Sequence, residues 1–427
     1  EGPLAGGSGS WLIAVRRSFY DLLANAVTNQ RYIFPFYYDA HAKLAFDFSS
    51  QHKLSAFYTH LGEGTKMLNV ESEQLDLLNA GRGHIAGLRW TSMISPKVVA
   101  HLFAGFYFDR NDINVRDTYF YRYQVNLNYK LQRHSLRSDV YYYPSNWLHF
   151  KFGGEVDRHT TDLIWNVNWR NIVETPASID FDAQGLHQAG YGEMRIKLKK
   201  WLEWTNGIRH DRSTLYKSEH WNPRSKLLLT ALNPVSFWLS YGRFSQFPDF
   251  LTIIGRGEPM DLSQNLDRLG AEHATHAIIG GQWLTTPYSR FKMEIYRKDF
   301  TSLLVNPEEG TFTPSNNGTG LSQGIEISFE KNRQPQERLG FWLNYTLAKT
   351  QYRRSASGPW IFFEYDQTHQ CNGGVDLRLS KRWHMEWVYY YGSGFPYTPV
   401  YGVADARTPA SAYVIKGEKN SARYPIY

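Results

Sequence analysis

The chain has 427 residues, 42% of them hydrophobic and 16% aromatic, yet its mean hydropathy is −0.49. No stretch reaches the ~18 uncharged apolar residues of a membrane helix, which excludes a helical membrane protein. A single cysteine, Cys371, excludes an internal disulfide framework, and a net charge of +7 spread along the chain is not the clustered footprint of a nucleic-acid binder.

Residues 11–19, WLIAVRRSF, read as a strand running into a short helical segment, 20–27. In residues 36–48, FYYDAHAKLAFDF, the even positions are apolar and Asp39, His41, Lys43 and Asp47 sit on odd ones. Period two makes this a strand with one oily and one wet face. It is long for a globular strand and suits a tilted crossing of a bilayer, which takes about 9–11 residues. A tight turn at 49–52 leads to a return strand carrying Leu54, Ala56 and Tyr58. A longer loop is expected over 62–83, then strands at 85–94 and 99–108 joined by the Ser95-Pro96 turn.

Residues 119–131 alternate again, with apolar side chains on odd numbers. Arg122, Gln124, Asn126, Asn128 and Lys130 form the polar ladder, read as facing a lumen. At 132–135 the parity flips and Leu136, Val140 and Tyr142 continue on even numbers, which points to a bulge or to a separate short strand. Pro144-Ser145-Asn146 is a tight turn flanked by Tyr141, Tyr142, Tyr143 and Trp147, as an interfacial girdle would be. The unit then recurs to the end of the chain: strand, short turn, strand, longer loop. Short turns fall at 199–200, 233–234, 285–287, 332–336 and 380–382.

Half-apolar strands, aromatic girdles, and short turns opposite long loops define an all-β transmembrane antiparallel barrel. Phe46, Leu127, Leu343 and Trp387 are then assigned to lipid. Hairpin counting gives about seventeen strands, and an odd number cannot close an antiparallel barrel, so both ends of the barrel are expected to lie outside 1–427. The runs after Arg353-Arg354 place aromatics and cations in exposed loops, a composition suited to ligand capture. Arg353, Arg354, Trp360, Phe362, Phe363 and Tyr365, with Phe395, Tyr397 and Tyr401 after the GSGFPYTP turn, are the substrate-binding candidates. No catalytic constellation or cofactor motif is read. Gly392-Ser393-Gly394 lacks a nucleophile-elbow context, and His101, His134 and His210 have no partner at metal-ligand spacing.

Several segments, in order, resemble one family. These are EGPLAGGSGSWLIAVRRSFYDLL, SMISPKVV, SDVYYYPSNWLHFKFGGE, YGRFSQFPDFL, NNGTGLSQGIEISFEK, LNYTLAKTQYR, the long YDQTHQCNGGVDLRLSKRWHMEWVYYYGSGFPYTP and ARYPIY. Together they resemble the barrel of TonB-dependent outer-membrane receptors, in particular the Bacteroidota type with a carboxypeptidase-regulatory-like domain before its plug. Gln367-Thr368 departs from the family, where Arg is common before His369. The resemblance implies a barrel of about 22 strands closed by a plug, with residues 1–427 a partial barrel domain. It implies no enzyme and no cofactor. It implies energised uptake of a siderophore, vitamin, peptide or glycan as a multi-pass protein of the bacterial outer membrane. The partners implied are outer-membrane lipids, the TonB complex acting through a plug, and a surface lipoprotein. A passive pore or a docking barrel for a surface lipoprotein is the alternative.

Overall fold

The computed structural model describes residues 1–424 except 21, 24–34, 68–74, 118–122, 170–176, 233, 249–265, 307–312, 335 and 405–412. The strands, in chain order, open with β1 (Gly2–Leu4), β2 (Gly9–Arg17), β3 (Phe36–Asp47), β4 (His52–Met67), β5 (Leu75–Ser95) and β6 (Val98–Asp117). Then come β7 (Tyr123–Ser145), β8 (Leu148–Trp169), β9 (Ala177–Lys199), β10 (Leu202–Ser213), β11 (Ser218–Leu232) and β12 (Val235–Gln246). After them follow β13 (Glu272–Thr286), β14 (Ser289–Val305), β15 (Ser315–Lys331), β16 (Leu339–Arg353), β17 (Ile361–Phe362), β18 (His369–Arg378) and β19 (His384–Gly392). These nineteen form one antiparallel sheet in which each pairs with its neighbours in sequence, except that β16 takes both β17 and β18 as partners. Only β1 and β17 are fragments, which leaves the hairpin count of about seventeen long strands intact. Two small pairs close the chain, β20 (Pro396–Tyr397) with β23 (Ala422–Arg423) and β21 (Val400–Ala404) with β22 (Tyr413–Lys416).

Short turns join the strands at one end, for example between Ser95 and Val98 and between Ser145 and Leu148. The strands are far longer than a bilayer requires. β7 has 23 residues, about 75 Å of chain at ~3.3 Å per residue, against an apolar band of roughly 25 Å. Most of the segment expected as a loop over 62–83 is therefore strand: β4 runs on to Met67 and β5 begins at Leu75. The segment expected as helical over 20–27 lies mostly outside the described residues, though Leu23 N–H bonds the Phe19 carbonyl at 3.0 Å.

Which face is concave is settled by packing. Leu127 (β7), Leu163 (β8), Phe181 (β9), Tyr216, Leu269 and Leu304 (β14) form one buried cluster. Strands this far apart in the sheet can meet only on its inner side. The register of β7 against β6 and β8 is unbroken from Gln124 to Tyr142, so no bulge lies at 132–135. Odd residues of β7, including Leu127, Arg137 and Asp139, face inward throughout. Two expectations are corrected by this. Leu127 is 6% exposed inside the cluster and does not face lipid. Gln124, Asn126, Asn128 and Lys130 share the outward face with Leu136 and Val140, and do not face the lumen. Arg122 lies outside the described residues. The physical reason is a change of surroundings, not of backbone. Near the short turns the strand is oily outside and polar inside. Beyond them it is polar outside and oily inside, as a water-washed extension with its own core must be.

Candidate functional site

On the concave wall, opposed residues of neighbouring strands share a face, and glycines leave room for rings to lie flat. Tyr191 (β9) lies across Gly153 (β8), where a Cβ would collide with its ring. Its O–H donates to Asp139 Oδ1 (β7) at 2.6 Å. Arg137 Nε donates to the other oxygen of Asp139 at 2.9 Å, and Lys151 Nζ stands 3.4 Å from Asp139. Arg209 bridges Asp211 at 2.7 Å and Glu155 at 3.7 Å. Asn222 donates to Asp211 Oδ2 at 2.9 Å and to Ser245 Oγ at 2.7 Å. Arg137, Lys151 and Arg209 stand 5.8, 5.5 and 5.4 Å from the centre of the Tyr191 ring.

The device repeats further round the sheet. Trp238 (β12) lies across Gly280 (β13) and its indole N–H donates to Glu294 Oε1 (β14) at 3.1 Å. Lys292 reaches Glu294 at 2.5 Å and stands 5.6 Å from the Trp238 ring. Each ring thus spans the strand between it and its carboxylate. The rings lie along the wall instead of projecting from it, and the charges beside them are matched. Arg224 differs: its guanidinium packs 4.3 Å from the Phe244 ring centre and has no ion pair among the described residues.

Beyond this zone the concave face turns apolar around Phe247. That ring stacks on Tyr216 at 5.8 Å, and Tyr216 O–H donates to the Pro248 carbonyl at 2.8 Å. His187 and His220 flank Phe247 at 5.1 and 6.0 Å. His159 meets His187 at 4.5 Å, and His273 meets His220 at 4.4 Å. His220 and His273 lie at the ends of β11 and β13 remote from the short turns, beyond the apolar band. Burial lowers the pKa of both, and pulls His273 down to about 4, helped by the neighbouring His220 and Arg243. Sequence spacing could not reveal this cluster, because its four histidines come from four different strands. Among the described residues no group of three or more His, Cys, Asp or Glu is arranged to hold a metal.

The nine candidate loop residues are divided by the fold. Arg353 packs 5.0 Å from the Trp360 ring centre, donates to Thr319 Oγ1 at 2.8 Å and to the Ala356 carbonyl at 2.6 Å. Phe362 is held between Lys349 at 5.6 Å and Arg423 at 4.8 Å. Arg354, Phe363 and Tyr365 instead line a cavity with Leu303, Leu304 and Tyr352. Phe395 meets Tyr365 edge-on at 6.3 Å, and Tyr397 stacks on Tyr424 at 4.5 Å. Tyr401 falls in β21, its side chain outside the described residues. Phe46, Leu343 and Trp387 lie on the convex face, 36%, 48% and 51% exposed.

Sequence reading missed the clasp that organises this end. The Asp366 side chain is 1% exposed and accepts from Arg423 Nη2 and from the Thr350 backbone N–H, each at 2.5 Å. Arg423 also donates to the carbonyls of Asp366 and Gly394. The signal was available: Asp366 and Arg423 sit in the YDQTH and ARYP segments, two of the family-like motifs.

Comparison with known proteins follows the same lines. No curated protein matches the sequence. Among solved structures, the siderophore receptor PiuA from Acinetobacter baumannii superposes with a TM-score of 0.70 at 12% identity, over 97% of this chain and 76% of that one. The ferric enterobactin receptor PfeA from Pseudomonas aeruginosa gives 0.71 at 12% identity, over 92% and 64%. The RagAB peptide transporter gives 0.56 at 10% identity, over 92% and 55%. At such identities the likeness shows the fold alone. The family described as TonB dependent receptor-like, beta-barrel matches residues 11–420, and the chain belongs to it.

Proposed function

We propose that the chain forms the wall through which a scarce solute is taken up across the outer membrane, energised by TonB acting on a plug. The observation that carries this reading is the concave wall: flat rings over glycines and matched charge pairs make a wide, smooth, polar surface against which a plug can seat and move. A bare hydrophobic bore would bind a plug too tightly to release it, and a bore filled by long side chains would leave it no room. Arg354, Phe363 and Tyr365 are proposed to contact solute at the outer end, with Arg353, Trp360, Phe362, Phe395, Tyr397 and Tyr401 around them. Phe46, Leu343 and Trp387 are proposed to contact lipid. The family-like motifs support the Bacteroidota type with its carboxypeptidase-regulatory-like domain.

The test is growth or uptake on siderophores, cobalamin, peptides and glycans, with the full-length gene as sole receptor, in cells with and without TonB. Uptake that disappears without TonB is expected; uptake that persists makes the chain a passive pore. The alternative reading is a docking barrel for a surface lipoprotein. Recovery of a lipoprotein with the detergent-extracted protein, and no TonB-dependent uptake, would select it.

A further inference from the structure

On the far side of the sheet from the Tyr191 and Trp238 pairs, the concave face of β4 to β6 carries oxygen donors with no evident partner. Tyr129 of β7 faces inward with the other odd residues of its strand. Register places Asn111 opposite Tyr129, Gly81 opposite Asn111, and Glu63 opposite Gly81. All four therefore share the concave face, as do Asn79, two residues from Gly81, and Asp109, two residues from Asn111. Gly81 and Gly83 leave the inner side of β5 bare between β4 and β6. A Cβ on Gly81 would stand 2.9 Å from Glu63 Cγ and 3.2 Å from its Oε1, so the carboxylate lies over the glycine, on the side of Asn111. Two carboxylates and two carboxamides thus ring Gly81.

Their bonding is incomplete. Asn111 is 8% exposed, and its Oδ1 is buried with no hydrogen-bond partner; Asn79 Oδ1 is in the same state. Buried carbonyl oxygens are nearly always paired in a folded protein. Asp109 accepts from Tyr107 O–H at 3.2 Å and from Tyr129 O–H at 3.3 Å, both at Oδ2, and accepts nothing at Oδ1 among the described residues. Neither Glu63 nor Asp109 has an ion pair among the described residues, whereas Asp139, Asp211 and Glu294 each hold a cation. The inward cations nearby do not fill the gap: Arg16 binds Asp39 at 3.0 Å, and Arg133 lies opposite Tyr107, past Asp109 from the Gly81 row. Arg82, Arg110 and Lys130 stand on even numbers and face outward.

We infer that Glu63, Asn79, Asp109 and Asn111 bind a hard divalent cation of the calcium class. Carboxylate and amide carbonyl oxygens are the ligands that calcium takes, and calcium accepts the loose geometry of donors drawn from three strands, where magnesium demands a near-ideal octahedron. Two carboxylates and two amides, without histidine or thiolate, suit such an ion and not a transition metal. They also fall outside the clusters of three or more His, Cys, Asp or Glu, of which the described residues hold none. The phenols of Tyr107 and Tyr129 orient Asp109 and are not ligands: burial and the Asp109 charge push Tyr107 up to about 12 and raise Tyr129 as well, so both stay protonated. The bound ion ties β4, β5 and β6 together. Only the strand register is required, so the site does not depend on transport.

The test is hydrogen exchange of the full-length protein in detergent, stripped with a chelator and then given calcium chloride or sodium chloride of equal ionic strength. Calcium at about 10 mM, above the roughly 0.1–1 mM range of weak extracellular sites, should slow exchange in residues 60–67, 77–83 and 107–115 and leave β11 to β14 unchanged. Glu63→Gln and Asn111→Ala should each raise the half-saturating calcium concentration at least about tenfold, since even indirect partners of a metal cost that much. Glu193→Gln, which removes an exposed concave carboxylate on β9, should respond to calcium as wild type does. Absence of any calcium effect, the result if water or a lysine of the plug fills the trough, would overturn the inference. So would slowing that survives both variants, equal loss in Glu193→Gln, or equal slowing by sodium chloride. Heat-modifiable gel mobility reports folding; if Asn111→Ala does not fold, Glu63→Gln, at an exposed side chain, carries the same comparison.

Discussion

A glycine on this wall is defined by the ring that crosses it. At Gly153 a methyl group must push the Tyr191 ring aside and so pull its hydroxyl from Asp139. Gly153→Ala should therefore destabilise the barrel by about 1.5–3 kcal/mol, the range for a hydrogen bond to a charged group. Tyr191→Phe, which keeps the ring, should account for most of that loss. The urea midpoint of the heat-modifiable band measures both, and an unchanged midpoint in Gly153→Ala would mean the ring moves freely. The Asp366 clasp is tested by a single amide. The Thr350 N–H is held by Asp366, so Asp366→Ala should speed its hydrogen exchange and release the segment bearing Arg423. An interior carboxylate that loses its partner costs several kcal/mol, so Arg423→Ala should speed the same amide through the charge it strands.

Along a single strand, alternation fixes which residues share a face but not what that face touches. β7 makes the point. From Gln124 to Tyr142 the backbone alternates without a break, yet the apolar parity inverts because the medium on each side changes. An inserted residue and a change of medium leave the same trace in sequence, and only cross-strand register separates them. The discriminating pair is Leu127→Lys and Asn126→Leu. The first buries an unpaired charge among Leu163, Phe181 and Tyr216 and should cost several kcal/mol; the second changes a water-washed site and should stay within ~0.5 kcal/mol. Equal effects would contradict the assigned faces. The strands near the short turns and the oily face of β3 were readable because they depend on local pattern; the extension of β4 and β5 through 62–67 and 75–83, where a loop was expected, was not. The histidines around Phe247 were not, being brought together only by the curvature of the whole sheet. They should respond to acid. His273 has a folded pKa below its unfolded value, so the unfolded chain binds its proton first as pH falls. Its contribution to stability is intact above about 6.5 and lost as pH falls through about 4. Hydrogen exchange around Tyr216 and Phe247 should accelerate across that window, and His273→Gln should flatten the response.

For the molecule as a whole, one physical demand organises both faces: hydrocarbon accepts only a band of limited height, while the wall is far taller than that band. β16 samples the whole range on one outward row, through Leu339, Leu343, Leu347 and Lys349 to Arg353. Leu343 lies four residues beyond Leu339, within the apolar strip, and Lys349 lies ten beyond it, at the edge. An arginine on the lipid face costs about 2–4 kcal/mol at the bilayer midplane and roughly 0–1 near the interface. Leu343→Arg should therefore fall in the higher range and Leu347→Arg below it, while Lys349→Arg should be neutral. Reversible folding into vesicles, followed by the tryptophan emission of the barrel, yields the three values. The order is the informative part. A convex face that met water would give small, similar costs at all three positions, and one that met protein would penalise Lys349→Arg as well. A graded fall from Leu343 to Lys349 is the signature of a bilayer whose upper edge lies near Lys349.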